Sequence, residues 1–100
     1  MKLQSVKLVT IIALDSLENQ IIADLKDLGV KGYTSESASG EGLHSKKMSD
    51  WEGRNIRIEA LMGSERTIAV MKKMHDKYFE KFGVVAFVTD VQVLRSEKYT

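Results

Sequence analysis

Residues Ser5–Gly29 read SVKLVTIIALDSLENQIIADLKDLG, and the hydrophobic period changes in the middle of the run. From Ser5 to Leu14 the segment is rich in β-branched residues and nearly continuously apolar after Leu8, the pattern of a strand covered on both faces. From Asp15 the spacing lengthens. Leu17, Ile21, Leu25 and Leu28, with Ile22 beside them, fall on one side of a helix. Asp15 or Ser16 can cap its start, Glu18 and Asn19 lie in its first turn, and Gly29 can end it.

Outward from this strand and helix the elements repeat. VKGYTSESAS is a weaker strand with Tyr33 and Thr34 at its start, and NIRIEALM sets Ile56, Ile58, Ala60 and Met62 against Arg57, Glu59 and Leu61, a half-buried strand. Ser64 is placed to cap a second helix, with Thr67, Ile68, Met71, His75, Tyr78, Phe79 and Phe82 on its apolar side and Gly83 at its end. VVAFVTDVQVL is the last strand. The order βαββαβ predicts an α+β fold, a ferredoxin-like sandwich with two helices on one face of a four-stranded antiparallel sheet and a long loop between strands 2 and 3. Two helices cover only one sheet face, yet the first and last strands are apolar on both. A second apolar face of that size is unusual in a monomer, so homo-oligomerisation is expected.

Composition narrows the function. One hundred residues make a single domain, residues 1–100. Fifteen basic residues against fourteen acidic ones give a formal charge of +1, which argues against a nucleic-acid binder working by bulk electrostatics. The absence of cysteine excludes disulfides, thiolate chemistry and cysteine metal sites. The apolar run near the N-terminus stops at Asp15 without a small-residue cleavage site, and no run approaches the ~18 residues of a membrane span. A soluble, cytoplasmic protein is expected.

The polar stretch from Gly32 to Asn55, GYTSESASGEGLHSKKMSDWEGRN, is where function concentrates. A loop of this length inside a small domain is usually functional or disordered. Gly40 and Gly42, beside Ser39, allow positive φ and close backbone approach to a phosphate or carboxylate; they equally serve an ordinary turn. His44, Lys46, Lys47, Arg54 and Arg57 make the region locally positive, which suits an anionic ligand as well as a solvated loop. Trp51, the sole tryptophan, either stacks on a base, anchors the loop to a neighbour, or pins the loop base. His44 and His75 have no second ligand at metal spacing, and His75 reads as a packing residue on the apolar side of its helix. No nucleophilic triad and no paired-carboxylate spacing is visible. The two strands KLVTIIA and NIRIEALM lack the exposed aromatics of an RNA-binding sheet.

The element order, GYT…SGEG ahead of the long loop, NIRIEAL after it, WEGRN at the return and RSEKY at the end together resemble the PII signal-transduction superfamily over nearly the whole chain. They look most like the PII-like branch of carboxysome-associated PII proteins and bicarbonate-transporter regulators. The resemblance implies a homotrimer with sheets facing inward, adenine nucleotide in the clefts between subunits, and a signalling T-loop at about residues 40–54. It carries nucleotide-binding roles onto Thr34, Ser39, Gly40, Gly42, Asn55, Arg57, Glu59, Leu61, Arg95 and Lys98. Trp51 and Arg54, with Arg57, are implied for bicarbonate or loop anchoring. No catalytic group and no catalytic cofactor is implied, and a membrane transporter reached from the cytoplasm is the implied partner. YFEKFGVVAF leaves no room for the family's glycine- and lysine-rich phosphate loop, which favours AMP, ADP or cyclic AMP over Mg-ATP. The alternative is a ferredoxin-like metal-handling trimer of the divalent-cation tolerance type, against which two isolated histidines and no cysteine weigh.

Overall fold

The first strand, β1, runs Gln4–Leu14 and passes through a 3-10 turn, Asp15–Leu17, into helix α1, Glu18–Asp27. Strands β2, Thr34–Ala38, and β3, Asn55–Met62, follow; helix α2 begins at Ser64 and strand β4, Val85–Val93, closes the order. The computed structural model describes residues 1–40, 54–95, 97 and 99. The four strands form one antiparallel sheet in the order β2-β3-β1-β4, the ferredoxin-like topology expected from the sequence.

Strand register assigns every residue to a face, because side chains alternate along a strand. Val9 pairs with Ala60 and Val88, Ile11 with Ile58 and Ala86, and Ala13 with Ile56. On that face Val9, Ile11, Ala13, Ile56, Ile58, Ala60 and Met62 pack with Leu17, Ile21 and Leu25 from the first helical layer and Val70, Met74 and Tyr78 from the second. The opposite face carries Leu8, Thr10, Ile12 and Leu14 from β1; Asn55, Arg57, Glu59 and Leu61 from β3; Val85, Phe87, Thr89 and Val91 from β4; and Thr34, Glu36 and Ala38 from β2.

Both helices end as their sequence suggests. Gly29 takes φ +83° just past α1, and the Leu28 carbonyl there accepts from Arg66 Nε at 3.2 Å. Gly83, at φ +62°, stops the second helix. The starts differ from expectation. Neither Asp15 nor Ser16 caps α1, which opens through the 3-10 turn without a side-chain cap. Ser64 is the first helical residue of α2 and the cap position belongs to Gly63, whose carbonyl accepts from both the Thr67 amide and hydroxyl.

The second helix also corrects the face assigned to it. After α2, Ser64–Met74, the backbone widens into a π-helical segment, His75–Phe79, before a last turn, Glu80–Phe82. Thr67, Val70, Met74 and Tyr78 are buried, whereas Ile68 is 70% exposed and Phe79 57% exposed. His75 is not a core packing residue: it lies on the surface, stacked on the Phe79 ring at 5.8 Å and 3.0 Å from Asp76 Oδ1. The side chain of Tyr78 turns inward and donates to Asp24 on α1, which Lys77 Nζ also reaches at 3.0 Å from both carboxylate oxygens. This polar cluster ties the two helices together beside an otherwise apolar core.

Candidate functional site

The uncovered sheet face brings chemistry together by register. Thr34 on β2 stands opposite Glu59 on β3, Glu59 stands opposite Thr10 on β1, and Thr10 opposite Phe87 on β4, so the four form one row across the sheet. One step closer to the start of β3, Glu36, Arg57 and Ile12 form the next row. Arg57 bonds Glu59 along its own strand, Nη2 at 3.0 Å and Nε at 3.3 Å from the same carboxylate oxygen. Both side chains are partly open to water, so the pair itself adds little stability, about 0–1 kcal/mol.

A groove of about 540 Å³ opens at one end of this face. It is lined by Leu8, Gly32, Tyr33, Thr34, Glu59, Ala60, Leu61, Val91 and Tyr99. Three of the residues singled out in the sequence, Thr34, Glu59 and Leu61, therefore share one cavity wall. The mixture of a hydroxyl, a carboxylate, aliphatic side chains and two tyrosines can receive a flat apolar ring with polar edges. Tyr33 enters just before β2 and Tyr99 from the segment beyond β4.

The other singled-out residues lie along or beyond this face. Arg57 is two residues from Glu59 toward the loop, and buried Asn55 begins β3 opposite Leu14 and Ala38. Ser39 and Gly40 are exposed just after β2. Arg54 is exposed on the return, and its carbonyl accepts from the Asp15 amide at 2.9 Å, fastening the end of the loop to the turn after β1. Arg95 is exposed beyond β4, 3.4 Å from Glu97. Gly42, Trp51 and Lys98 lie outside the described residues.

Leu8, Tyr33, Val91 and Tyr99 were missed by reading the sequence. Their local patterns are those of strand and tail residues; the pairing of β1 with β3 and β4 brings Leu8 and Val91 to the groove, and Tyr33 and Tyr99 join it from outside the strands. The one available signal was the double-sided apolarity of β1, which already marked Leu8 as facing something other than the helices. Among the described residues no group of three or more His, Cys, Asp or Glu side chains could hold a metal ion, and no helix is long and apolar enough to cross a membrane.

Comparison with known proteins bears on what this face does. A family model for nitrogen regulatory protein P-II matches residues 6–98. A PII-like signalling protein from Thermus thermophilus superposes with a TM-score of 0.87 at 41% sequence identity, covering 100% of both chains. CPII from Thiomonas intermedia superposes at 30% identity over 99% of this chain and 98% of its own, with a TM-score of 0.87 for its complex with ADP, AMP and acetate and 0.85 for its complex with ADP and bicarbonate. A search of curated protein sequences returns no match.

Proposed function

This chain belongs to the nitrogen regulatory protein P-II family, and from that premise we propose that it is a non-enzymatic sensor that binds an adenine nucleotide between subunits of a homotrimer and signals through the segment at about residues 40–54. The observation that carries this reading is that CPII, similar to this chain over nearly the full length of both, is solved with ADP and AMP bound. The geometry agrees with that chemistry. The groove at Thr34, Glu59 and Leu61 suits an adenine ring, with Glu59 as acceptor for an exocyclic amino group and Thr34 as a hydroxyl at its edge. Arg57, Arg95 and Lys98 supply cationic groups for phosphate, while Ser39, Gly40, Gly42 and Asn55 bound the start and return of the signalling segment.

The same face supports assembly with further copies, and the trimer rests on the family resemblance. In a single chain Leu8, Ile12, Leu14, Leu61, Val85 and Val91 remain half-buried and Phe87 is 42% exposed, an apolar surface that further copies can cover. Bicarbonate is the second ligand of this reading, assigned to Arg54, Arg57 and Trp51 on the family resemblance; the CPII complex with ADP and bicarbonate supports it. AMP and ADP are favoured over ATP because Val84 and Val85 follow Gly83 directly, without a phosphate-binding loop between helix and strand. The resemblance to bicarbonate-transporter regulators supports a membrane transporter as the target, with recruitment to the membrane by that partner. The whole chain, residues 1–100, acts as one PII-like domain.

Isothermal titration with AMP, ADP, ATP and cyclic AMP, each with and without bicarbonate, tests the reading. Expected are micromolar affinities for ADP and AMP, both weakened by Arg57→Ala and by Gly42→Val. Failure of all four nucleotides to bind would sink the sensor function while leaving the family assignment intact.

A further inference from the structure

The centre of the open face holds a polar group that the function described so far does not use. Thr10 is 0% exposed although no helix covers its side of the sheet, and its hydroxyl has no hydrogen-bond partner among the described residues. Buried hydroxyls are ordinarily bonded, so an orphan beside a binding groove calls for an account of when it finds a partner. Its cross-strand neighbours are Phe87, which offers none, and Glu59, whose carboxylate instead bonds Arg57. Residues directly opposite in an antiparallel pair are close enough for a threonine hydroxyl to reach a carboxylate by rotation of one side chain.

We propose that Thr10 is a positioning residue for the nucleotide site, its hydroxyl donating to Glu59 in the ligand-bound state when Arg57 leaves that carboxylate for the anionic group of the ligand. The inference rests on the reading of Glu59 and Arg57 as ligand-side residues. The ion pair is partly solvated and weak, so an anion competes for the Arg57 guanidinium easily. Once released, Glu59 would be left on a half-buried face with fewer donors, and the buried Thr10 hydroxyl is the donor already opposite it. The exchange satisfies the orphan hydroxyl, holds the carboxylate on the side of Thr34, and couples the phosphate end of the site to its base end. Thr10 thereby acts through Glu59, beneath the ligand and apart from the signalling segment.

The test is titration of wild type, Thr10→Val and Thr10→Ser with ADP, repeated in a Glu59→Leu background. Valine keeps the shape and removes the donor, while serine keeps the donor. The expected result is an ADP affinity about tenfold weaker for Thr10→Val, the scale of one hydrogen bond. Thr10→Ser should stay close to wild type, and the valine effect should collapse once Glu59 is leucine, which cannot accept a hydrogen bond. Ligand-free Thr10→Val should melt at or above the wild-type temperature, since it removes an unbonded buried hydroxyl. Wild-type affinity in Thr10→Val overturns the proposal, and so does a valine defect that persists undiminished with Glu59→Leu. If wild type itself does not bind ADP, the nucleotide reading fails and this inference falls with it, an outcome distinct from loss confined to the variants.

Discussion

The two faces of the sheet are built from the same strands and to different ends. On the helix side every position of β3, from Ile56 through Ile58 and Ala60 to Met62, is fully or nearly fully buried, and the helices meet the sheet with aliphatic and aromatic side chains. On the other side the intervening residues Arg57, Glu59 and Leu61 are half-buried, an ion pair crosses partly open space, and a threonine hydroxyl is left without a partner among the described residues. Along β1 and β3 the first face is closed within a single chain, although Val88 on the edge strand β4 stays 39% exposed. The other is complete only with something added, and that is where a ligand or another copy can alter the free energy of the protein.

Substitutions divide along the same line. The largest effect belongs to the closed face: Ile58→Ala should lower unfolding stability by about 2–5 kcal/mol in urea titrations at fixed chain concentration, because the cavity cannot collapse between two helices and a sheet. A loss under about 1 kcal/mol would mean that this face is not the folding core. Next is the cluster joining the helices. Asp24→Asn weakens its bonds with Tyr78 and Lys77 and should cost about 1–3 kcal/mol near neutral pH.

That second substitution carries a pH signature. Burial alone would push the Asp24 carboxyl up, but hydrogen bonds from Tyr78 and Lys77 and the charges of Lys77 and Lys73 outweigh it and hold the carboxyl below its ordinary 3.8. A lowered folded value means the contribution is complete above the unfolded value and disappears as pH falls through the folded one. Wild type and Asp24→Asn should therefore converge in stability below about pH 3.8 and separate above it, as read by thermal melts across pH. Parallel curves from about pH 2 to pH 7 would refute this.

The open face should respond in assembly and binding. Phe87→Glu places a charge at an exposed apolar position and should convert the trimer to monomer in sedimentation velocity, with the helical and sheet signals of circular dichroism retained. A trimer that survives this change would move the subunit contact elsewhere. The smallest stability effect is that of Arg57→Ala, within about 0.5 kcal/mol of wild type, since its ion pair is partly solvated. Its consequence is expected in nucleotide titration alone.

What could be read from the sequence follows the range of the interactions involved. Strand β3 and the helix ends at Gly29 and Gly83 were legible because alternation and left-handed glycines are local signals. The outward placement of Phe79 was not, because a regular 3.6-residue period carried through the π-helical segment assigns the wrong face. Ile68, ahead of that segment, and His75, at its first residue, were misplaced for another reason: the buried stripe there is Thr67, Val70 and Met74. At the site, Thr34, Glu59 and Leu61 were found through the resemblance, while Thr10, Leu8 and Val91 join them only through pairing across β1, β3 and β4. That pairing is set by the shape of the whole sheet, and no window of the chain contains it.

Ala38 and Asn55 face each other as the last pair of β2 and β3, and the Arg54 carbonyl is tied to the Asp15 amide. The ends of the segment between β2 and β3 are therefore held by the sheet whatever the intervening residues are. Closing a chain between fixed ends becomes costlier only with the logarithm of its length, about 0.6 kcal/mol for each doubling. Insertions and exchanges between those anchors are thus nearly free of consequence for folding. A lineage, or an engineer, can rewrite that stretch alone and keep the same core.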